Sequence, residues 1–91
     1  MAKARRSKEE VIHDMLEAIQ KKGGSIKPTH LLYKANLSHD ALQKYLKELI
    51  SAGLVKEIED DGKKRYELLD AGHQFLEKYR RFKQFSDAFG I

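Results

Sequence analysis

Residues 29–46 read Thr-His-Leu-Leu-Tyr-Lys-Ala-Asn-Leu-Ser-His-Asp-Ala-Leu-Gln-Lys-Tyr-Leu, and this stretch decides the fold. The pattern predicts two helices, over residues 30–35 and 39–52, capped by Thr29 and Ser38. The intervening Asn-Leu-Ser predicts a tight turn, because Asn tolerates left-handed backbone and Ser caps a following helix. Two helices joined by such a short turn are typical of a helix-turn-helix.

An amphipathic helix is predicted before this pair. Ser7 and Glu10 have the spacing of a capping box, and the Gly-Gly pair at 23–24 ends the helix. The residues between recur at helical spacing on one apolar face: Val11, Ile12, Met15, Leu16 and Ile19. The link at 25–28 is expected to be extended, because its final proline disfavours helix in the residue before it.

Two strands and a last helix are predicted after the pair. The strands lie at residues 54–58 and 65–69, around a turn that contains Asp-Gly at 61–62, a strong hairpin signal. Asp70 is expected to cap a helix over residues 71–89. A helix-turn-helix followed by a hairpin has the element order of a winged helix.

The whole order predicts an α+β, mainly α fold. We expect a winged helix-turn-helix domain with a basic N-terminal arm over residues 1–70, and a C-terminal dimerisation helix over residues 71–91. The third helix is expected to direct its apolar side chains toward the core: Leu42, Tyr45, Leu46, Leu49 and Ile50.

The composition fits one small globular domain. The chain has 91 residues, of which 41% are hydrophobic and 35% are charged, and a net charge of +4 favours a polyanionic partner. It contains no cysteine, which excludes disulfides and thiolate metal sites. No apolar run approaches the roughly 20 residues of a membrane span. We therefore expect a cytoplasmic, nucleoid-associated protein without a membrane partner.

The stretch quoted above resembles a known family, together with the later runs Gly53-Leu-Val and Tyr66-Glu-Leu-Leu-Asp-Ala-Gly-His-Gln-Phe-Leu76. Over residues 7–79 the chain is similar to the archaeal winged-helix DNA-binding family typified by the small "10a" proteins of Sulfolobus. The resemblance implies two winged-helix heads, a homodimer joined by an antiparallel coiled coil of the last helix, and double-stranded DNA as the ligand. Asp70 stands where that family would have Thr, and the last helix is short and aromatic-rich for a long coiled coil.

The polar face of the third helix is the candidate recognition surface. Its apolar positions point inward, which leaves Gln43, Lys44 and Lys47 outside. Gln and Lys can read base edges in the major groove, and Lys can also bind phosphate. An ordinary solvated helix face is the alternative interpretation. The full set of predicted DNA-binding residues is Arg5, Arg6, Lys8, Lys27, His30, Lys34, Ser38, His39, Gln43, Lys44, Lys47, Lys63, Lys64 and Arg65.

The predicted wing carries charges of both signs. Lys63, Lys64 and Arg65 are the kind of residues that contact the DNA backbone or minor groove in winged helices. Four carboxylates at positions 57, 59, 60 and 61 share the hairpin, so charge pairing within the hairpin is the alternative.

The basic arm has no apolar residues with which to pack. Arg5, Arg6 and Lys8 are therefore expected to strengthen DNA binding through counterion release without setting its specificity. A solubilising tail is the alternative.

One face of the last helix is the candidate dimer interface. Its residues recur at alternating spacings of four and three, the heptad of a coiled coil: Phe75, Tyr79, Phe82, Ser86 and Phe89. Phe85 widens this face. Packing onto the chain's own head domain is the alternative, which is expected for Phe75 and Leu76 but is harder for the rings further along the helix.

No pattern in the chain favours an enzyme or a cofactor. The four histidines stand apart, and two of them directly precede an aspartate, a spacing that turns the two side chains in different directions on a helix. We therefore expect a sequence-specific or broad-specificity DNA-binding protein, a transcriptional regulator that acts as a homodimer. The alternatives are a protein–protein interaction module with a winged-helix fold, and an abundant chromatin-associated protein.

Overall fold

Four helices and a small sheet make up residues 6–91, the part of the chain that the computed structural model describes. In chain order the elements are α1 (Lys8–Lys21), β1 (Ser25–Ile26), α2 (Pro28–Lys34), α3 (His39–Ser51), β2 (Val55–Asp60), β3 (Lys63–Leu68) and α4 (Asp70–Ala88). The strands form an antiparallel sheet in the order β1-β3-β2. The predicted mainly helical winged-helix architecture is confirmed.

Helix α1 begins at the predicted capping box. The Ser7 hydroxyl accepts a hydrogen bond from the Glu10 backbone N–H at 3.1 Å, and the Ser7 N–H donates to the Glu10 carboxylate at 2.8 Å. The bond from the Ser7 N–H stabilises the ionised carboxylate and lowers the pKa of Glu10 below its ordinary value. Both partners are local in sequence, so the helix start is encoded within four residues.

Helix α2 begins earlier than the pattern predicts. Lys27 occupies the N-cap position with extended backbone, without a side-chain hydrogen bond to the helix, and Pro28 is the first helical residue. The prediction that Thr29 caps this helix is therefore wrong. Proline is well suited to the first helical position, because the N–H that it lacks would have no partner there.

The turn between α2 and α3 has the predicted geometry. Asn36 adopts the left-handed conformation with φ of 53°. The Ser38 hydroxyl accepts a hydrogen bond from the Ala41 N–H at 3.1 Å, as expected of a helix cap. Helix α3 therefore leaves the turn in a direction that local hydrogen bonds define.

The hairpin is longer and its loop is tighter than predicted. Pairing continues from Val55 opposite Leu68 to Asp60 opposite Lys63, which leaves a two-residue turn. Both turn residues, Asp61 and Gly62, have positive φ, of 55° and 77°. This is the turn whose twist matches the twist of paired strands, and Gly adopts it without steric cost.

The extended link before α2 forms the third strand of the sheet. Ser25 pairs with Glu67 and Ile26 with Tyr66. Arg65 secures this edge: its guanidinium donates to the Ser25 hydroxyl, at 3.0 Å from Nη2 and 3.2 Å from Nε, and to the Ser25 carbonyl at 3.3 Å. The base of the hairpin is thereby fastened to the residues that precede α2.

The core lies between the helices and one face of the sheet. Its fully or nearly fully buried side chains include Met15, Leu16, Ile19, Ile26, Leu31, Leu42, Leu46, Leu49, Val55 and Leu76. Two of the predicted core residues of α3 differ: Tyr45 is only partly buried, and Ile50 is 40% exposed. Ile50 follows buried Leu49 by one residue, which rotates its side chain about 100° away from the core.

The first half of α4 packs against α1. Leu76 is fully buried, Phe75 is partly buried, and the Tyr79 ring stacks on the His13 imidazole with 4.5 Å between ring centroids. Asp70 is the first helical residue, and Leu69 holds the cap position without a side-chain hydrogen bond, so the prediction that Asp70 caps the helix is wrong. Between residues 6 and 91, no helix combines the length and apolarity that a bilayer span requires.

Gly72 marks the closest approach between α4 and the loop before β2. A Cβ added there would lie 2.5 Å from the Leu54 carbonyl oxygen and would also collide with the Leu68 side chain. We expect Gly72→Ala to destabilise the protein by about 1–3 kcal/mol through overpacking, although alanine is the better helix former. Thermal or urea unfolding measures the change, with the exposed Gln74→Ala in the same helix as the control; a stabilised Gly72→Ala variant would contradict this packing.

The Arg65–Ser25 clamp gives a second prediction. Arg65→Lys keeps the positive charge but loses the forked donor geometry, so we expect a loss of about 1 kcal/mol in unfolding free energy. Lys63→Ala in the same strand removes a charge but leaves the clamp intact, and it should change stability by less than about 0.5 kcal/mol. Equal unfolding free energies for Arg65→Lys and the parent chain would show that the clamp contributes nothing.

Candidate nucleic-acid interface

The outer face of α3 presents three polar side chains in a row. Gln43, Lys44 and Lys47 are exposed, while Leu42 and Leu46 anchor the opposite face in the core. The Lys44 ammonium lies 5.6 Å from the centroid of the Tyr45 ring, within the range of a cation–π contact. This face has the donors for base edges and phosphates that the sequence predicts.

The start of α3 offers fewer groups for contact with a nucleic acid than its residue types suggest. The Ser38 hydroxyl accepts the capping hydrogen bond, and His39 is exposed as the first helical residue. Asp40 is also exposed in this first turn. Its carboxylate would be repelled by phosphate, so the first turn of α3 is less suited to an anion than the positions of Lys44 and Lys47.

A basic cleft lies between the start of α2 and the wing. Lys27, Lys63 and Lys64 line it together with Pro28 and Thr29, and its volume is about 330 Å³. The three ammonium groups come from segments more than 30 residues apart, which the sheet brings together. Such a concentration of positive charge suits a phosphate group.

The other two predicted residues of α2 lie outside this cleft. His30 is exposed in the first turn of α2, and Lys34 is exposed at its last helical residue. Lys34 lines a smaller depression with Asp14, Glu17 and Lys21. The structure therefore separates Lys34 from Lys27.

Charge pairing occurs within the wing. Lys56 lies directly across from Glu67, with 3.3 Å between ammonium and carboxylate, and Lys64 lies 3.9 Å from Glu57. Arg65 is held by Ser25. The predicted alternative of pairing inside the hairpin is thus present for Lys64, while Lys63 is exposed near the turn.

The two arm residues that the structure describes, Arg6 and Lys8, form ion pairs with carboxylates of the helices. Arg6 Nη1 donates to Asp14 at 2.8 Å, and Lys8 Nζ lies 2.7 Å from the Glu48 carboxylate of α3. The bond to Glu48 raises the pKa of Lys8 above its ordinary value. The expectation that these two residues have no packing partners is wrong; Arg5 lies outside the described residues.

Two acidic residues in these pairs were not identified from the sequence. Glu48 pairs with Lys8, which is distant in sequence, and Asp14 pairs with Arg6, which lies eight residues away and before the helix begins, so neither pair follows from a local helical spacing. His13 also corrects an expectation: its Nδ1 lies 3.1 Å from Asp14 Oδ1 although the two residues are adjacent. Within residues 6–91, no cluster of three or more histidines and carboxylates could hold a metal ion.

The second half of α4 leaves a row of aromatic rings in solvent. Phe82, Phe85 and Phe89 are 63%, 61% and 66% exposed, and the last two pack on each other with centroids 4.8 Å apart. Phe75 and Leu76 instead pack in the core, as the alternative predicts, and the Tyr79 ring stacks on His13 of α1. Ser86, in the middle of the seam, is buried within the chain itself.

An apolar groove continues from this row toward the start of α1. It is lined by Phe75, Tyr79 and Phe82 and has a volume of about 460 Å³. Glu9 and Glu10 border it on α1, and Lys78 and Lys83 border it on α4. The aromatic face therefore has a rim of both charge signs.

Comparison with solved structures shows the same fold in DNA-binding proteins. Sso10a-2, a DNA-binding protein from Sulfolobus solfataricus, superposes with a TM-score of 0.81 at 21% identity, over 92% of this chain and 85% of that one. The winged-helix DNA-binding protein F93 from STIV gives a TM-score of 0.77 at 16% identity, over 87% and 92% of the two chains.

A bacterial protein shares the fold over part of its length. MarR from E. coli has a TM-score of 0.71 at 21% identity, and the match covers 79% of this chain but only 52% of MarR. A search of curated protein sequences found no match. The family model described as winged helix-turn-helix matches residues 5–87, so this chain belongs to the winged helix-turn-helix family.

Proposed function

We propose that this protein is a DNA-binding transcriptional regulator that acts as a homodimer. One observation carries the proposal: Gln43, Lys44 and Lys47 form an exposed polar row on a helix whose other face is fixed in the core. A helix held in this way and preceded by a tight turn fits the major groove with its outer face toward the bases.

The basic cleft supports a contact to the DNA backbone in addition to the contact that we propose for α3. Lys27, Lys63 and Lys64 concentrate positive charge where the start of α2 meets the turn end of β3. Phosphate contacts of this kind orient a protein on the duplex without reading sequence. Base readout would then fall to Gln43, with Lys44 and Lys47 able to contact either bases or phosphates.

Acidic side chains on β2 and in the turn limit which side of the wing can approach the DNA backbone. Glu59 and Asp60 are exposed on β2, and Asp61 is exposed in the turn. Their carboxylates would be repelled by phosphates, so we infer that the wing meets the DNA backbone with the β3 side, which carries Lys63 and Lys64, and turns its β2 side away. The same acidity favours a protein-docking module as the second candidate function.

The exposed rings of α4 support self-association. Burial of one Phe side chain contributes on the order of 1.5–3 kcal/mol of favourable free energy. Three rings of α4 are each more than half exposed in the monomer, so their burial in a dimer would stabilise association. Arg80, Arg81 and Lys83 flank the seam. An antiparallel pair of α4 helices separates these like charges better than a parallel pair in register.

The modest net charge favours a regulator over an abundant chromatin protein. A value of +4 is low for a protein that coats DNA without preference. A homodimer would present two copies of α3 and could address two half-sites on one duplex. A binding titration across unrelated duplexes separates one preferred site from uniform binding.

The proposal predicts different effects for the three residues of the α3 row. Lys44→Ala and Lys47→Ala should each weaken binding to all duplexes and lower the slope of log K against log salt by about 1 where a phosphate contact is lost. Gln43→Ala should weaken binding to the preferred duplex selectively, by about 1–3 kcal/mol if it contacts a base. Fluorescence anisotropy over a salt series measures both.

Lys21→Ala is the matched control, because Lys21 is an exposed lysine at the end of α1. If all three α3 variants are folded and bind like the parent chain, α3 is not the recognition helix. If the parent chain binds no duplex but captures a protein with little salt dependence, the docking module is the better assignment.

The dimer proposal is tested by Phe82→Glu, which places a charge in the middle of the exposed ring cluster. We expect the parent chain to sediment as a dimer at tens of micromolar and the variant as a monomer, because a buried, unpaired carboxylate opposes association. Tyr33→Glu is the control, since Tyr33 is an exposed aromatic residue on α2. A parent chain that is monomeric at this concentration would rule out the proposed dimer.

A further inference from the structure

The Arg6 side chain joins two segments that are distant in sequence. Its Nη1 donates to Asp14 Oδ2 of α1 at 2.8 Å, and its Nη2 donates to the backbone carbonyl oxygen of Asn36 at 2.9 Å. The two acceptors are 22 residues apart in sequence. A guanidinium suits such a bridge, because its planar fork offers separate donors in fixed directions.

The carbonyl that Arg6 binds belongs to the turn of the helix-turn-helix. Asn36 is the left-handed residue between α2 and α3. Within the turn, its N–H donates to the Tyr33 carbonyl at 3.2 Å, and the next N–H, of Leu37, donates to Leu32 at 3.1 Å. A cation beside the carbonyl end of α2 is also favoured by the helix dipole.

The carboxylate on the other side of the bridge is itself oriented. Asp14 Oδ2 accepts from Arg6, while Asp14 Oδ1 lies 3.1 Å from His13 Nδ1. The Arg6 and Asp14 side chains are only 30% and 35% exposed, so the pair is partly shielded from water. The Lys8–Glu48 pair adds a second tie between the start of α1 and α3.

We propose that Arg6 is a positioning residue that holds the turn against α1 and thereby sets the orientation in which α3 meets DNA. The inference rests on the proposed function, since it concerns how the recognition helix is presented. The basic composition of the arm alone suggests that Arg6 contacts phosphate. The inference assigns Arg6 a different role. Both of its bonds are intramolecular, and they hold the guanidinium between α1 and the turn.

Two substitutions separate positioning from phosphate contact. Arg6→Lys keeps the charge and loses the fork, and Asp14→Asn removes a negative charge and weakens the bridge. If Arg6 contacts phosphate, Arg6→Lys should bind nearly as well as the parent chain, and Asp14→Asn should bind equally well or better. If Arg6 positions the turn, both variants should bind the preferred duplex roughly three- to tenfold more weakly with an unchanged salt slope.

The control for charge is Asp70→Asn, an exposed aspartate at the start of α4 that makes the same change in net charge. It should bind at least as well as the parent chain. The double variant Arg6→Lys/Asp14→Asn should lose little more affinity than either single variant, because both remove one shared interaction. Circular dichroism at the titration temperature verifies that every variant is folded.

Amide spectra give a readout that general destabilisation would not move. In a ¹H–¹⁵N correlation spectrum below the unfolding transition, Arg6→Lys and Asp14→Asn should both shift the amides of Leu37 and Ser38, next to the Asn36 carbonyl. Undisturbed turn amides, or an Asp14→Asn variant that binds DNA as tightly as Asp70→Asn, would overturn the inference while leaving the proposed function intact. A parent chain that binds no duplex would overturn both.

Discussion

The burial of one face of α3 is the constraint on which the rest of the molecule depends. Leu42, Leu46 and Leu49 lie in the core at spacings of four and three, which fixes the rotation of the helix about its axis. The opposite face is thereby exposed, because its side chains could enter the core only if the whole helix rotated. The tight turn before the helix fixes where it starts, and the core that α3 shares with α1 and the sheet fixes its inner face. The polar row of α3 is therefore a consequence of the hydrophobic core.

The positive charges of the chain divide into two groups when the fold forms. Arg6, Lys8 and Lys64 lie beside carboxylates of their own chain, and Arg65 is hydrogen-bonded to the sheet. The second group is exposed on α3 and at the cleft beside the wing, and it consists of Lys44, Lys47, Lys27 and Lys63. The basic surface that we propose for a polyanion is therefore more localised than the basic composition suggests, and it lies on α3 and at the turn end of β3.

Helix α4 serves two parts of the molecule. Its first turns complete the head domain through Leu76 and the stacked Tyr79, and the close approach at Gly72 fixes where the helix leaves the sheet. Its last turns present rings that the head domain does not reach. The division of the chain at residue 70 into a head and a dimerisation helix stays a prediction. Because the first half of α4 packs on α1, the boundary between the part of the chain that completes the head and the part that is exposed lies within α4 and not at its start.

The sequence by itself determined the features that depend on a few neighbouring residues. The Ser7 capping box, the Asn36 turn, the Asp-Gly hairpin and the inward face of α3 all follow from local hydrogen bonds or from helical periodicity. The caps at Thr29 and Asp70 were wrong, because other residues, Lys27 and Leu69, hold the cap positions. What only the tertiary structure decided is the assignment of partners to charged side chains. Arg6 meets Asn36, Lys8 meets Glu48 and Arg65 meets Ser25 because folding brings together segments that are 30 to 40 residues apart.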